Sequence, residues 1–80
     1  MNDLIKNIGK VHTTEMGIER IKRNLSLAIV DEDVVEHCKK LILDNGAVIE
    51  RKGKNWYVYI CGSVITVNAS SYTIITAHKE

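Results

Sequence analysis

A change of period near the middle of this chain limits its possible folds more than any other feature. From Ala47 onward, "AVIER", "NWYVYIC", "SVITVNA" and "YTIITAH" are short runs rich in β-branched and aromatic residues. They are separated by Lys52-Gly53-Lys54, by Gly62-Ser63 and by Asn68 to Ser71, breaks of hairpin size with turn residues in them. Before Ala47 the apolar residues recur at spacings of three and four instead, the spacing of one buried helix stripe. This pattern predicts helices first and then a four-stranded antiparallel meander. That is an α+β fold, with two or three helices on one face of the sheet.

Its 80 residues are read as one domain over 1–80, with a helical part at about 2–46 and a sheet part at about 47–79. There is no Phe and no Pro, so the core must be built mostly from Ile, Val and Leu. Hydrophobic residues make up 45%, and the net charge is +1, which together argue against disorder. The same near-neutrality argues against a strongly basic nucleic-acid binder.

Asn2 or Asp3 caps a short first helix through about Ile8, stopped by Gly9. Val11 to Thr14 is a connector. Thr14 is the natural N-cap of the next helix, and Glu15 stands in its first turn, where the helix dipole favours an acid. Ile18, Ile21 and Leu25 form that helix's stripe. Gly17 within it costs about 1 kcal/mol relative to Ala, which hints at close packing. Leu27 and Ile29 are expected to tuck into the core from a loop. Asp33 with Glu36 has the spacing of a capping box for a further helix, with Val34, Cys38, Leu41 and Ile42 as its apolar face and Gly46 as its stop.

Strand periodicity sets Trp56, Val58 and Ile60 on one face and Tyr57, Tyr59 and Cys61 on the other. Both sets are apolar or amphipathic, yet the helices cover only one face. The other is covered by a partner chain, of which a homodimer is one form, makes a groove, or stays exposed as Tyr tolerates, with Trp56, Tyr57 and Tyr59 as candidate interface residues. Cys38 and Cys61 belong to no paired-cysteine motif and read as small hydrophobes, with a disulfide between them neither required nor excluded. The chain lacks the apolar run of a signal peptide and any stretch long enough to span a membrane, so it reads as cytoplasmic with no membrane partner.

Phosphate-binding glycine loops, dinucleotide fingerprints, nucleophile elbows and zinc-ligand spacings are absent, so no metal and no cofactor is expected. Two polar sets remain. One is His12, Thr13, Thr14, Glu15 and Arg20; the other is Thr66, Asn68, Tyr72, Thr73, Thr76 and His78 on the last two strands. Tyr72, Thr76 and His78 are expected to share a face. If the connector lies beside the last strand, His12 and Arg20 meet His78. Metal-free RNA cleavage needs a base, an acid and a cation for the phosphate. His12 and His78 supply the acid/base pair, Arg20 the phosphate contact, and Thr13, Asn68 and Thr76 substrate contacts. Two further readings stand beside this one. The first is a non-catalytic protein-binding module that uses the aromatic face. The second is RNA binding without catalysis, through Arg51, Lys52 and Lys54 beside Trp56 and Tyr57.

The segments "VHTTEMGIERIKRNL", "AVIERKGKNWYV" and "ITVNASSYTIITAHK" resemble those of short bacterial proteins in the domain-of-unknown-function family 3781. That resemblance covers nearly the whole chain and implies no chemistry. In layout, helices followed by a four-stranded antiparallel sheet, the chain is also similar to the barnase, endonuclease-colicin and RelE-type small ribonucleases. Through this likeness a ribonuclease site is implied at His12, Arg20, Asn68, Thr76 and His78. Many such enzymes are basic, and this chain is not.

Overall fold

The computed structural model describes residues 3–80. Helix α1 (Asp3–Lys6) leads into a 3-10 turn (Ile8–Lys10) and, after a connector, into α2 (Glu15–Leu25) and α3 (Asp31–Ile42). Strands β1 (Val48–Lys52), β2 (Asn55–Ile60), β3 (Ser63–Asn68) and β4 (Ile74–Lys79) follow. They pair antiparallel in the order β1-β2-β3-β4, the meander that the spacing of the turns predicts. Gly53 (φ 58°) and Gly62 (φ 73°) supply the left-handed backbone of the two tight hairpins.

One layer of helix covers one face of the sheet. Ile21, Leu25, Val34, Cys38 and Ile42 from α2 and α3 share a core with Trp56, Val58, Ile60, Ile65, Val67, Ile74 and Ala77. Leu4 and Val11 close its end, and Leu27 and Ile29 pack against it from the loop as expected. Helix α2 lies chiefly along β4, while α3 rests on α2 and on β2.

The two longer helices start for different reasons. Thr14 caps α2, its side chain accepting from the Gly17 N–H at 3.0 Å. At the other end Ser26 turns left-handed (φ 55°), and the Leu27 N–H returns to the Lys22 carbonyl at 2.9 Å. Helix α3 has no side-chain cap: Val30 precedes it, and Asp31, Glu32 and Asp33 fill its first turn. The capping box expected at Asp33 and Glu36 therefore lies inside the helix, where charge rather than a capping bond favours the acids.

Other boundaries also differ from those expected. The first helix ends at Lys6, and Gly9 sits within the 3-10 turn instead of stopping the helix. Asn2, the alternative cap, lies outside the described residues. Helix α3 ends at Ile42, before Gly46, whose N–H is held by the Asp44 carboxylate at 2.7 Å in the turn that follows. Tyr72 leaves the strand altogether: a register shift between Thr66 and Val67 and a left-handed backbone (φ 60°) turn it away from Thr76 and His78. The cost of Gly17 also finds its reason. A β-carbon there would run into the Thr13 hydroxyl, which donates to the Ile74 carbonyl at 2.9 Å and ties the connector to β4.

Gly17→Ala is expected to lower stability by about 1–2 kcal/mol despite the better helix propensity of Ala, because the Thr13 bond must give way. In a Thr13→Ala background the same change should become neutral or stabilising, as a denaturant double-mutant cycle would register. Burial pushes the Cys38 thiol up to about 11 from 9.0. The unfolded chain then loses this proton first, so stability falls as pH rises from about 9 toward 11, by up to about 2–3 kcal/mol. Cys38→Val should remove that part of the alkaline slope.

Candidate functional site

The face of the sheet turned away from the helices is built by period two. It carries Val48, Glu50 and Lys52 on β1 and Asn55, Tyr57 and Tyr59 on β2. Val64, Thr66 and Asn68 on β3 and Thr76 and His78 on β4 complete it. In register, one row reads Val48, Tyr59, Val64 and His78, and the next reads Glu50, Tyr57, Thr66 and Thr76. Val64 is buried but stands outside the main core cluster, which places it on this second face. Thr66 is similarly buried, and both lie in the middle of the face, flanked by longer side chains. Tyr57 and Tyr59 are half-buried, and Val48 is 56% exposed.

The charge of this face is modest. Glu50 is matched by Lys52 at 3.2 Å. The hydrogen bond to Glu50, followed by its negative charge, holds the Lys52 ammonium above its ordinary range. Lys54 in the adjoining turn and His78 on β4 are exposed. The face thus offers two neighbouring phenol rings along a central strand, hydroxyls and an imidazole beside them, and basic groups at its margin.

The candidate residues separate into three places. His78 and Thr76 lie on the open face. Arg20 is exposed on α2, in the layer on the opposite side of the sheet. His12 forms a parallel bridge with Thr73, just before β4. His78 lies five residues farther along, about 16 Å away by the rise of a strand. The connector does run beside the last strand, but it brings His12 to one end of that strand and leaves His78 at the other. Thr13 spends its hydroxyl on the Ile74 carbonyl. Trp56 is 4% exposed and belongs to the helix-covered core, so only Tyr57 and Tyr59 of the aromatic set reach the open face.

Trp56 has its own surroundings. Its ring centroid lies 5.4 Å from that of Tyr72, the Arg51 guanidinium lies 5.3 Å from the Trp56 ring and the Lys10 ammonium 5.7 Å from the Tyr72 ring. This stack joins the β1–β2 hairpin, the β3–β4 loop and the 3-10 turn. Cation–π contacts of this kind contribute about 0.5–1 kcal/mol each when exposed.

Asn68 organises the β3–β4 loop. Its side-chain oxygen accepts from the Ser70 and Ser71 N–H groups, both at 2.9 Å, and from the Ser71 hydroxyl at 3.2 Å. Asn68, expected as a substrate contact, thus has its carbonyl oxygen committed to the loop. Ser71 is a residue that motif and spacing did not single out. "NASS" after a strand carries the signal, since Asn folds its side chain back onto the following N–H groups.

His37, the third histidine, lines a shallow cleft along α3 with Ile29, Asp33, Glu36 and Lys40, remote from the open sheet face. Among the described residues, no group of three or more His, Cys, Asp or Glu is placed to hold a metal. Nor is any helix among them long and apolar enough to cross a membrane.

The arrangement defines a small α+β fold with helices on one side of an antiparallel sheet and an aromatic, open face on the other. Residues 5–78 match the family model described as "Protein of unknown function (DUF3781)", and the chain belongs to that family. No curated protein and no solved structure matches the chain significantly. The resemblance to small ribonucleases expected from the order of elements has no support from these comparisons.

Asn68→Ala is expected to cost about 1–3 kcal/mol, because two backbone N–H groups lose their acceptor. Amide exchange at Ser70 and Ser71 should accelerate, whereas Asn68→Asp, which keeps the acceptor, should retain most of the protection.

Proposed function

We propose that this protein is an RNA-acting module that takes a single strand across the open face of its sheet. The observation that carries the reading is the pair Tyr57 and Tyr59, neighbours on a central strand and on a face that no helix covers. Two residues along a strand span about 6.6–6.8 Å, which sets the rings far enough apart for each to stack on its own base. Stacking of this kind accepts any base, because every base has a π face. Thr76 and His78 on the same face would serve as polar contacts, and Lys54 in the β1–β2 turn, with Lys52 once it exchanges Glu50 for a phosphate, would supply the cations.

The near-neutral charge of the whole chain does not oppose this. Few phosphates need to be neutralised on a short strand, and affinity then comes mainly from the rings. The reading is one of binding. Cleavage by His12, Arg20 and His78 acting together would require groups from both layers and from both ends of β4.

A protein-binding role is the second reading. It is favoured by Val48, which is 56% exposed beside the tyrosines on the same face. A second copy of this chain is one form of such a partner.

The test is titration of a fluorescently labelled single-stranded RNA of mixed sequence, in EDTA and at several salt concentrations. Affinity should fall as salt rises. Tyr57→Ala and Tyr59→Ala should each weaken binding by roughly 5- to 150-fold, the range set by losing about 1–3 kcal/mol of stacking. Absence of binding, or binding that neither substitution changes, would remove the RNA reading. Self-association of the RNA-free protein that is abolished by the same two substitutions would assign the face to a protein partner instead.

A further inference from the structure

The second polar cluster lies at the start of β4, away from the open-face tyrosines, and contains a side-chain hydrogen-bond chain. The His12 Nδ1 lies 2.8 Å from the Lys10 carbonyl oxygen. A carbonyl can only accept, so Nδ1 carries the proton and the neutral ring presents Nε2 as an acceptor. The Thr73 Oγ1 lies 3.1 Å from that Nε2, and its hydroxyl is the donor. The Ser71 Oγ lies 2.8 Å from the Thr73 Oγ1 and also reaches the Asn68 oxygen.

This is the geometry of an activated nucleophile. A hydroxyl is bonded to an imidazole, and the imidazole is oriented through its other nitrogen by a third group. A backbone carbonyl takes the place usually held by a carboxylate. The pair is pre-positioned by the main chain. The His12 N–H donates to the Tyr72 carbonyl at 3.1 Å, and the Ile74 N–H donates to the His12 carbonyl at 2.7 Å, so base and hydroxyl are bracketed from both sides. Tyr72, directly before Thr73, has the left-handed backbone (φ 60°) that bulky residues adopt only when their surroundings enforce it. The Trp56 ring and the Lys10 ammonium hold Tyr72 in place. Lys10 also gives this corner a positive charge, beside the residue that precedes the hydroxyl.

We propose that Thr73 and His12 form a nucleophile–base pair that accepts an acyl group from an activated ester or thioester. The Thr73 oxygen forms a bond to the acyl carbon while its proton passes to His12 Nε2. The bond from that carbon to the leaving oxygen or sulfur then breaks, its electron pair departs with the leaving atom, and the proton on Nε2 is delivered to it. The product is an O-acyl Thr73. Water then attacks the same carbon as His12 Nε2 takes its proton; the bond from that carbon to the Thr73 oxygen breaks, the proton on Nε2 returns to that oxygen, and the carboxylic acid leaves. Ser71 is a positioning residue: with the Thr73 proton on the His12 Nε2, the Ser71 hydroxyl turns its single proton from the Asn68 oxygen to the Thr73 Oγ1, 2.8 Å away. The cluster stands apart from the RNA reading, since neither Tyr57 nor Tyr59 takes part in it.

The experiment is incubation of the full chain with p-nitrophenyl acetate, followed by intact-mass measurement and peptide fragmentation. One acetyl group is expected on Thr73, removable by alkaline hydroxylamine as an alkyl ester is, whereas acetyl groups on lysine are not. Thr73→Val removes the accepting oxygen and should abolish this ester, and His12→Gln should slow its formation by roughly a hundredfold, the low end of what a positioned base contributes. Thr73→Ser should retain it. Far-UV circular dichroism and Trp56 fluorescence identify any variant that has lost its fold. If Thr73→Val does not fold, His12→Gln and Thr73→Ser decide the matter. Label confined to lysine, hydroxylamine-labile label on Ser71, or a Thr73 ester that forms equally fast in folded His12→Gln would each overturn the proposal.

Discussion

A four-stranded sheet has two faces, and this chain carries enough helix to cover one of them. Everything else in the molecule is arranged around that limit. The buried face is aliphatic apart from Trp56 and is closed by α2 and α3. The other has to remain compatible with water, and it does so with half-buried tyrosines, threonines and a matched Glu50–Lys52 pair in place of more aliphatic residues. Tyr is suited to that position because its ring covers the strand while its hydroxyl stays wet. A surface stable under this compromise is also one on which a flat ligand gains from stacking, and structure and proposed function meet there.

The second organising element is the connector between the 3-10 turn and α2. It is short, and its hydrogen bonds are unusually complete. His12 bridges β4 through its main chain, Thr13 binds the Ile74 carbonyl, and Thr14 caps α2. Gly17 is what allows Thr13 to stay there. The connector thus serves as a fifth, one-residue strand on the β4 edge, which leaves β1 as the edge not covered in this way. Its charged residues, Glu50, Arg51 and Lys52, are of the kind that discourage further strand addition.

Because the connector is fixed so closely, the side chains it carries are held against the β3–β4 loop. The loop is itself ordered by Asn68 and by the stacking of Tyr72 on Trp56. Two rigid segments, distant in sequence, therefore place an imidazole on a hydroxyl. Close, oriented contact of this kind is what general-base chemistry requires. It arises where the ribonuclease reading put His12, but with Thr73 as its neighbour rather than His78.

Periodicity and turn chemistry were enough to specify the order and type of the elements, the meander, and the division of β2 into two faces, but not which of those faces the helices cover: Trp56, expected at an interface with Tyr57 and Tyr59, is in the core. Both act between residues close along the chain, so they can be read from the amino-acid order alone. Thr14 as a cap and the packing role of Gly17 were legible for the same reason. Helix ends were less so: Asp33–Glu36 and Gly46 carry local signals that the packing of α3 did not use. The pairing of side chains across the fold was decided only in three dimensions. His12 and Thr73 are 61 residues apart, and nothing local relates them. A single bulge opposite Thr66 and Val67 and one left-handed residue at Tyr72 decide which polar groups face each other. A shift of one residue in a strand reverses the face of every side chain beyond it, so a site built across strands is settled by register, which tertiary packing sets.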